Sequence, residues 1–406
     1  MERQARHLAN LGNEVTVFAP DYGKAEEEQP ESMRVLRFRT RRKKMENGMV
    51  YPCFLTPEIL KVFEKETFDC IHVHHPMFVG TTALYLKKKY QIPVIYTYHT
   101  KYEDYLHYLG FFREAGTSGH FRKKLLHFAK ERFVPAYMRW FCNQCDLVIA
   151  PTPGVAATIR RQGVRTKVKV LPTGLEEEFY KPDTEKTADI RYRYAAGKKW
   201  LFCTVGRLEE EKNPGFLIEG LKILSQKERL GSDFHMLFIG TGSLKEQLQD
   251  QIRKEGLESQ VTFLGNVPNE EVKHYLYASD LFLFASTSET QGIVLAEAMA
   301  AGCPVVAVKA SGVEDIVEDN RNGFAVENDP GQWTQKVEEA LCPEKWMILQ
   351  ETARNTAKAY QADRIARREE LLYRRCMRLE QGGGEYVQTM DTEEFAKTVY
   401  GISRAS

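Results

Sequence analysis

Short apolar runs rich in Val, Ile, Leu and Phe recur along the chain and alternate with longer segments of mixed polarity. In the first half they are EVTVFAP at 14–20, FDCIHVHHP at 68–76, IPVIYTYHT at 92–100, DLVIAPT at 146–152 and KVKVLPT at 167–173. Helical stretches intervene, TTALYLKKKY at 81–90 and another beginning near Pro153. Nearly continuous apolar strands separated by helices predict a parallel sheet covered on both faces. A second set follows, WLFCTVGRL at 200–208, HMLFIGTG at 235–242, VTFLGN at 261–266, LFLFAS at 281–286 and PVVAV at 304–308, each trailed by a helix. The polar stretch TGLEEEFYKPD at 173–183 separates the two sets and reads as a linker. This pattern predicts an α/β chain of two Rossmann-like domains whose parallel sheets face a cleft.

The expected boundaries are 1–174 and 175–362 for the two domains, then a charged, Arg-rich helix at 363–380 and a loosely attached tail at 381–406 after three glycines. The start departs from the pattern. Residues from Met1 to Gly12 read directly as a helix, so the apolar strand and Gly-rich turn that open such a domain are expected to be missing. Loss of that strand would leave neighbouring backbone groups without partners.

With 406 residues, 43% apolar and 28% charged, the chain has the length and composition of a two-domain soluble enzyme. No apolar run reaches the ~18 residues of a membrane span and no leader opens the chain, so a cytoplasmic location is expected. Eight scattered cysteines fit small buried residues in a reducing compartment. Cys142 and Cys145 form a single CxxC with no second pair, which is rejected as a zinc or redox motif. Charge is unevenly divided: residues 1–170 hold 28 Lys and Arg against 17 Asp and Glu, and the remainder 29 against 39. A basic half suggests an anionic surface as partner. No nucleic-acid partner is expected, and such a role is a distant third reading, because no basic-aromatic platform accompanies the charge.

Two glutamates eight positions apart, Glu289 and Glu297, lie where the strand LFLFAS turns into the helix GIVLAEAMAAG. This is the mouth of a parallel sheet, where open α/β sheets bind ligands. Gly292, Ile293 and Val294 present main-chain amides at a helix start, an arrangement that holds phosphate. Glu297 sits in a helix apolar on nearly all sides and so needs hydrogen-bond donors, for which sugar hydroxyls are suited; the alternative is a solvated helix position. Gly206-Arg207-Leu208 and Lys212 place a guanidinium and an ammonium over a turn, suited to a pyrophosphate, although Glu209–Glu211 between them also fit an ordinary solvated loop. Gly240-Thr241-Gly242 is a lone GxG after a strand, weak by itself.

The run SETQGIVLAEAMAAGCPVVAVKASGVEDIVEDNRNGFAV, 288–326, resembles the donor-site signature of the retaining family 4 glycosyltransferases, which have the GT-B architecture. The resemblance implies a site. GRLxxxK becomes the phosphate loop, Gly240 lines the nucleotide pocket, and Val267 in Gly265-Asn266-Val267 lies near the nucleobase. Thr290, Gln291, Gly292, Ile293 and Val294 border the donor, Glu297 holds the ribose and Glu289 faces the sugar. The last helix then crosses back to the first domain. His99 contacts the transferred sugar, acting with Glu289, Arg207 and Lys212, and Tyr102, Glu103 and Asp104 serve the acceptor. HTKYEDYLHYLG at 99–110 resembles bacterial diacylglycerol glucosyltransferases. The expected function is transfer of a hexose, glucose, from a UDP-sugar co-substrate to diacylglycerol, with no cofactor or metal. Arg122, Lys123, Lys124, Phe128, Lys130 and Arg132 would hold the enzyme on an anionic membrane, with the basic run from Arg37 to Lys44. Two other readings remain: a different hexose or acceptor, and a non-catalytic nucleotide-sugar-binding relative.

Overall fold

The computed structural model describes residues 1–22, 32–44, 50–52, 56–100, 102, 124 and 127–380. The chain divides into two compact units at Gly174/Leu175 and again at Gln361/Ala362, so the C-terminal helix belongs with the first unit.

The first unit contains strands β1 (Thr16–Pro20), β2 (Arg34–Phe38), β3 (Thr40–Lys44), β4 (Val50–Pro52), β5 (Ile71–Val73), β6 (Val94–Thr97), β7 (Leu147–Ala150) and β8 (Val168–Val170). β1 and β2 form a parallel pair, β3 and β4 an antiparallel pair, and β5 to β8 a parallel sheet in sequential order. Every residue of β6 and β7 is buried, which is why these strands read as continuous apolar runs. β2 and β3 were not legible in the sequence, because arginines and lysines interrupt them; in β2, Arg34 and Arg37 face solvent while Phe38 is buried. The basic run from Arg37 to Lys44 thus falls on two strands.

The helix Ala362–Glu380 packs Ile365, Leu372 and Cys376 with Ile95, Leu147 and Ile149 of β6 and β7. The spacing of these positions forms one helical stripe. It also meets the N-terminal segment, through a Gln4–Glu369 hydrogen bond from the helix Glu2–Asn10 and an Asn13–Glu370 bond of 3.3 Å just beyond it.

The second unit holds β9 (Trp200–Val205), β10 (Phe234–Ile239), β11 (Val261–Gly265), β12 (Leu281–Phe284), β13 (Val305–Val308) and β14 (Gly323–Val326). They form one six-stranded parallel sheet in the order β11-β10-β9-β12-β13-β14. Strand order reverses between β9 and β12, the topological switch point at which doubly wound sheets bind ligands. The stretch 173–183 is not a free linker. Leu175 and Phe179 are buried, and Tyr180 donates to the Ala357 carbonyl at 2.8 Å, so two apolar residues four apart pin it to the second unit.

Candidate active site

At the switch point, β9 leads into Gly206 and β12 leads into the loop that carries Glu289. The β9 loop is zipped to the β10 loop by main-chain bonds, Gly206 N–H to Ile239 O at 2.9 Å and Leu208 N–H to Thr241 O at 3.0 Å. Gly240 has φ +134°, and a Cβ there would lie 2.0 Å from the Gly206 oxygen. A Cβ on Gly242 would lie 2.3 Å from the Leu208 oxygen. The lone GxG therefore has a packing reason: only glycine lets the two loops approach this closely. Glu209 adds to the joint, accepting from Ser243 N at 2.9 Å and Ser243 Oγ at 2.6 Å. Gly265 and Gly240 are bridged in turn, which brings the β11 end and the partly buried Val267 beside the same edge of the sheet.

Both expected cations are in place, each against a carboxylate. Arg207 Nη2 lies 2.6 Å from Glu211 Oε1, and the Lys212 ammonium pairs with Glu289. Gly206, Arg207, Lys212, Pro214 and Phe284 line a small recess there. The Glu211 carbonyl accepts from Thr287 N at 3.0 Å and from the Ser286 and Thr287 hydroxyls at 3.3 Å, tying the phosphate-type loop to the Glu289 loop. Glu209 and Glu211 are thus structural members of the site, while Glu210 between them is exposed as a solvated position.

Gly292 caps the helix Ile293–Ala300 with φ +66°. Ile293 and Val294 stand in the first turn, where amides have no intrahelical acceptor. Gln291 and Glu297 are buried, Thr290 half-buried, and the helix buries every residue from Leu295 to Ala300, so the solvated-helix reading of Glu297 does not hold. Gly312, with φ +84°, presses on this loop: its Cβ would meet Glu289 O at 3.1 Å and Gln291 N at 3.2 Å. Sequence reasoning missed Gly312 as a site residue. Its signal was a Ser-Gly pair soon after a strand, too common to single out.

In the first unit, His99 follows β6, and its Nε2 lies 2.8 Å from His74 Nδ1, with the rings stacked at 5.1 Å. One imidazole of such a pair donates and the other accepts. Burial, with the nearby amino terminus, holds His99 down at about 4. His72 is held at about 3 by burial and by His99, and burial lowers His74 as well. His72 bonds Tyr373 Oη at 2.5 Å and Thr97 Oγ1 at 2.7 Å, and Tyr373 donates to Glu369 at 2.9 Å. Glu369 is fully buried, and its carboxyl is pushed up to about 7 by that burial. The 3.4 Å approach of His72 to Glu369 is therefore a contact of a neutral ring, not an ion pair. Tyr102 sets its ring edge-on to His75 at 5.6 Å, and burial raises its hydroxyl pKa.

Two family models match the chain one after the other. "Glycosyltransferase Family 4" matches residues 1–179 and "Glycosyl transferases group 1" matches 186–360. The chain belongs to this glycosyltransferase family. An alpha-monoglucosyldiacylglycerol synthase of Acholeplasma laidlawii is 28% identical over 90% of both chains. A protein of the same name from Streptococcus pneumoniae is 28% identical over 65% of this chain, which spans only 57% of that relative's length. The sucrose-phosphate synthase of Thermosynechococcus elongatus shares the fold, with a TM-score of 0.72 at 20% identity over 93% of this chain and 92% of its own. The architecture is GT-B.

In this enzyme the second unit gathers Gly206, Arg207, Lys212, Gly240, Val267, Glu289, Thr290, Gln291, Gly292, Ile293, Val294 and Glu297 around the strand ends at or beside the switch point. His99 and Tyr102 lie in the other unit. Glu103, Asp104, Arg122 and Lys123 lie outside the described residues. Lys124, Lys130 and Arg132 are exposed, and Phe128 is 54% exposed. Sequence reasoning missed the neighbours of Phe128: Phe133 at 59% and Trp140 at 48% exposure, on the helical stretch that continues to Gln144. It also missed His74, which HVHHP displayed without showing which histidine would meet His99.

Proposed function

We propose that the enzyme transfers glucose from UDP-glucose to diacylglycerol, with retention of anomeric configuration, at the anionic cytoplasmic face of a membrane. The observation that carries the donor half is the meeting of Arg207, Lys212, Glu289 and the Ile293–Ala300 helix start at the switch point of the second sheet. Negative charge grows on the β-phosphate as the sugar leaves. Arg207, Lys212 and the amides at 292–294 stabilise it by fixed electrostatics. These groups supply the positive charge, so the scheme assigns no step to a cofactor. Glu297 binds the ribose hydroxyls and Glu289 faces the sugar. The departing phosphate takes the acceptor's proton.

Support for the lipid half comes from two sources. The two relatives of 28% identity are both named alpha-monoglucosyldiacylglycerol synthase. In this chain Phe128, Phe133 and Trp140 are exposed beside Lys130, Arg132 and Arg139, a mixture suited to an interface. No described helix is long and apolar enough to cross a membrane. The test supplies purified enzyme with labelled UDP-glucose, UDP-galactose or UDP-N-acetylglucosamine and vesicles containing diacylglycerol. Label in an α-glucosyl lipid, seen by chromatography and by its anomeric proton coupling, is expected. Label confined to water-soluble products would sink the lipid assignment, and absence of UDP binding by calorimetry would sink the donor assignment.

A further inference from the structure

Arg207 and Lys212 do not await the nucleotide as bare cations. Arg207 is held by Glu211 and Lys212 by Glu289, so the recess carries equal numbers of opposite charges from these four groups. Glu289 has a place at the sugar in the reading above. Glu211 has none. It stands four positions after Arg207, on the short 3-10 turn Glu210–Lys212, and its peptide carbonyl takes three donors from Ser286 and Thr287. That anchoring fixes the main chain at Glu211, and within the 2.6 Å pair Arg207 is the more exposed partner, 45% against 18% for Glu211.

We propose that Glu211 is an internal counter-ion that competes with the donor's diphosphate for Arg207, weakening nucleotide binding and speeding release of the product nucleotide. The inference rests on the donor reading given above. Two effects oppose a diphosphate at Arg207: it must displace or share the carboxylate, and it must sit close to a like charge carried on an anchored main chain. A site with two uncompensated cations would hold nucleotide diphosphate tightly in both substrate and product. Release of product limits turnover in many enzymes, so a built-in competitor favours turnover at the expense of affinity. The neighbouring Glu209 serves as contrast. Its carboxylate is occupied by Ser243 N and Oγ rather than by a cation, and it does not compete.

Glu211→Gln keeps the shape, and its amide oxygen can still accept from the guanidinium, but the charge is gone. Calorimetry with UDP is expected to show a Kd about 10-fold lower than wild type, the order of one partly screened charge contact. The KM for the UDP-sugar and kcat should fall together as release slows. Glu209→Gln should not tighten UDP. A strut would behave in the opposite way, since loss of its support loosens the loop and weakens UDP. Unchanged or weaker binding of UDP to a folded Glu211→Gln enzyme therefore overturns the proposal. Should that variant melt far below wild type, Glu211→Asp, which keeps the charge but withdraws it by one methylene, decides by the same sign. Failure of both variants to fold overturns the proposal in favour of a structural strut. If wild-type enzyme itself binds no UDP, the donor reading has failed, and the counter-ion falls with it for that separate reason.

Discussion

Arg207 is half exposed, and its ion pair with Glu211 contributes at most about 1 kcal/mol to folding at such exposure. Its effect on a departing phosphate is larger, because charge develops there only in the transition state. Arg207→Ala is therefore expected to lower kcat/KM by about 10²-fold or more while the melting temperature moves by less than about 4 °C. Initial rates and thermal melts on the same preparation check both halves. Unaltered rates would remove Arg207 from the mechanism. The residue types at this site were readable in the sequence, but their partners were not. Nothing in GRLEEEK shows that the first glutamate ties to Ser243 and the third to Arg207; those pairings follow from how the loop turns after β9.

At the scale of elements, the helix Ala362–Glu380 brings Glu369 and Tyr373, one turn apart, to His72 at β5, and His74 and His99 stack across the neighbouring strand ends. These groups make opposite pH contributions. The histidines have folded values lowered from 6.5, so the folded state takes up fewer protons than the unfolded. Their stabilisation is complete above 6.5 and is lost as pH falls toward their folded values. Glu369 is raised from 4.5 to about 7, so its contribution is complete below 4.5 and is lost as pH rises through 7. Three histidines outweigh one carboxyl between these limits. Urea midpoints are expected to fall as pH is lowered from 7 to 5, and Glu369→Gln should steepen that fall by removing the opposing titration. A flat profile, or a shallower one in the variant, contradicts this account. β1, β5 to β8 and β9 to β13 were legible as apolar runs and the last helix as a charged, Arg-rich stretch ahead of three glycines; this network was not, because polar groups meeting inside a core leave no period in the sequence.

For the whole molecule, the basic excess of residues 1–170 becomes a surface only where side chains face outward. Lys124, Lys130, Arg132 and Arg139 are exposed beside Phe128, Phe133 and Trp140. Each cation near an anionic bilayer is worth about 1 kcal/mol, and reversing one removes the attraction and adds repulsion. Lys130→Glu with Arg132→Glu is expected to lower binding to phosphatidylserine-containing vesicles by at least about 10-fold. Sedimentation with vesicles measures it, against uncharged vesicles as the baseline. Equal binding of variant and wild type would take the membrane contact away from this helix.

By itself the sequence determined that the chain forms two alternating α/β units, where the second unit's strands end, and which residues resemble a donor site. Those properties are local: an apolar run of five residues, a glycine at a turn or a signature of 39 residues carries its meaning within its own segment. Only the tertiary structure decided that β9 and β12 are neighbours, that Gly312 presses on the Glu289 loop, that Glu211 faces Arg207, and that His74 rather than another histidine meets His99. Each joins segments or side chains whose approach is set by strand order and backbone turning, and the energies that select it are summed over the packed core rather than written in any one stretch of chain.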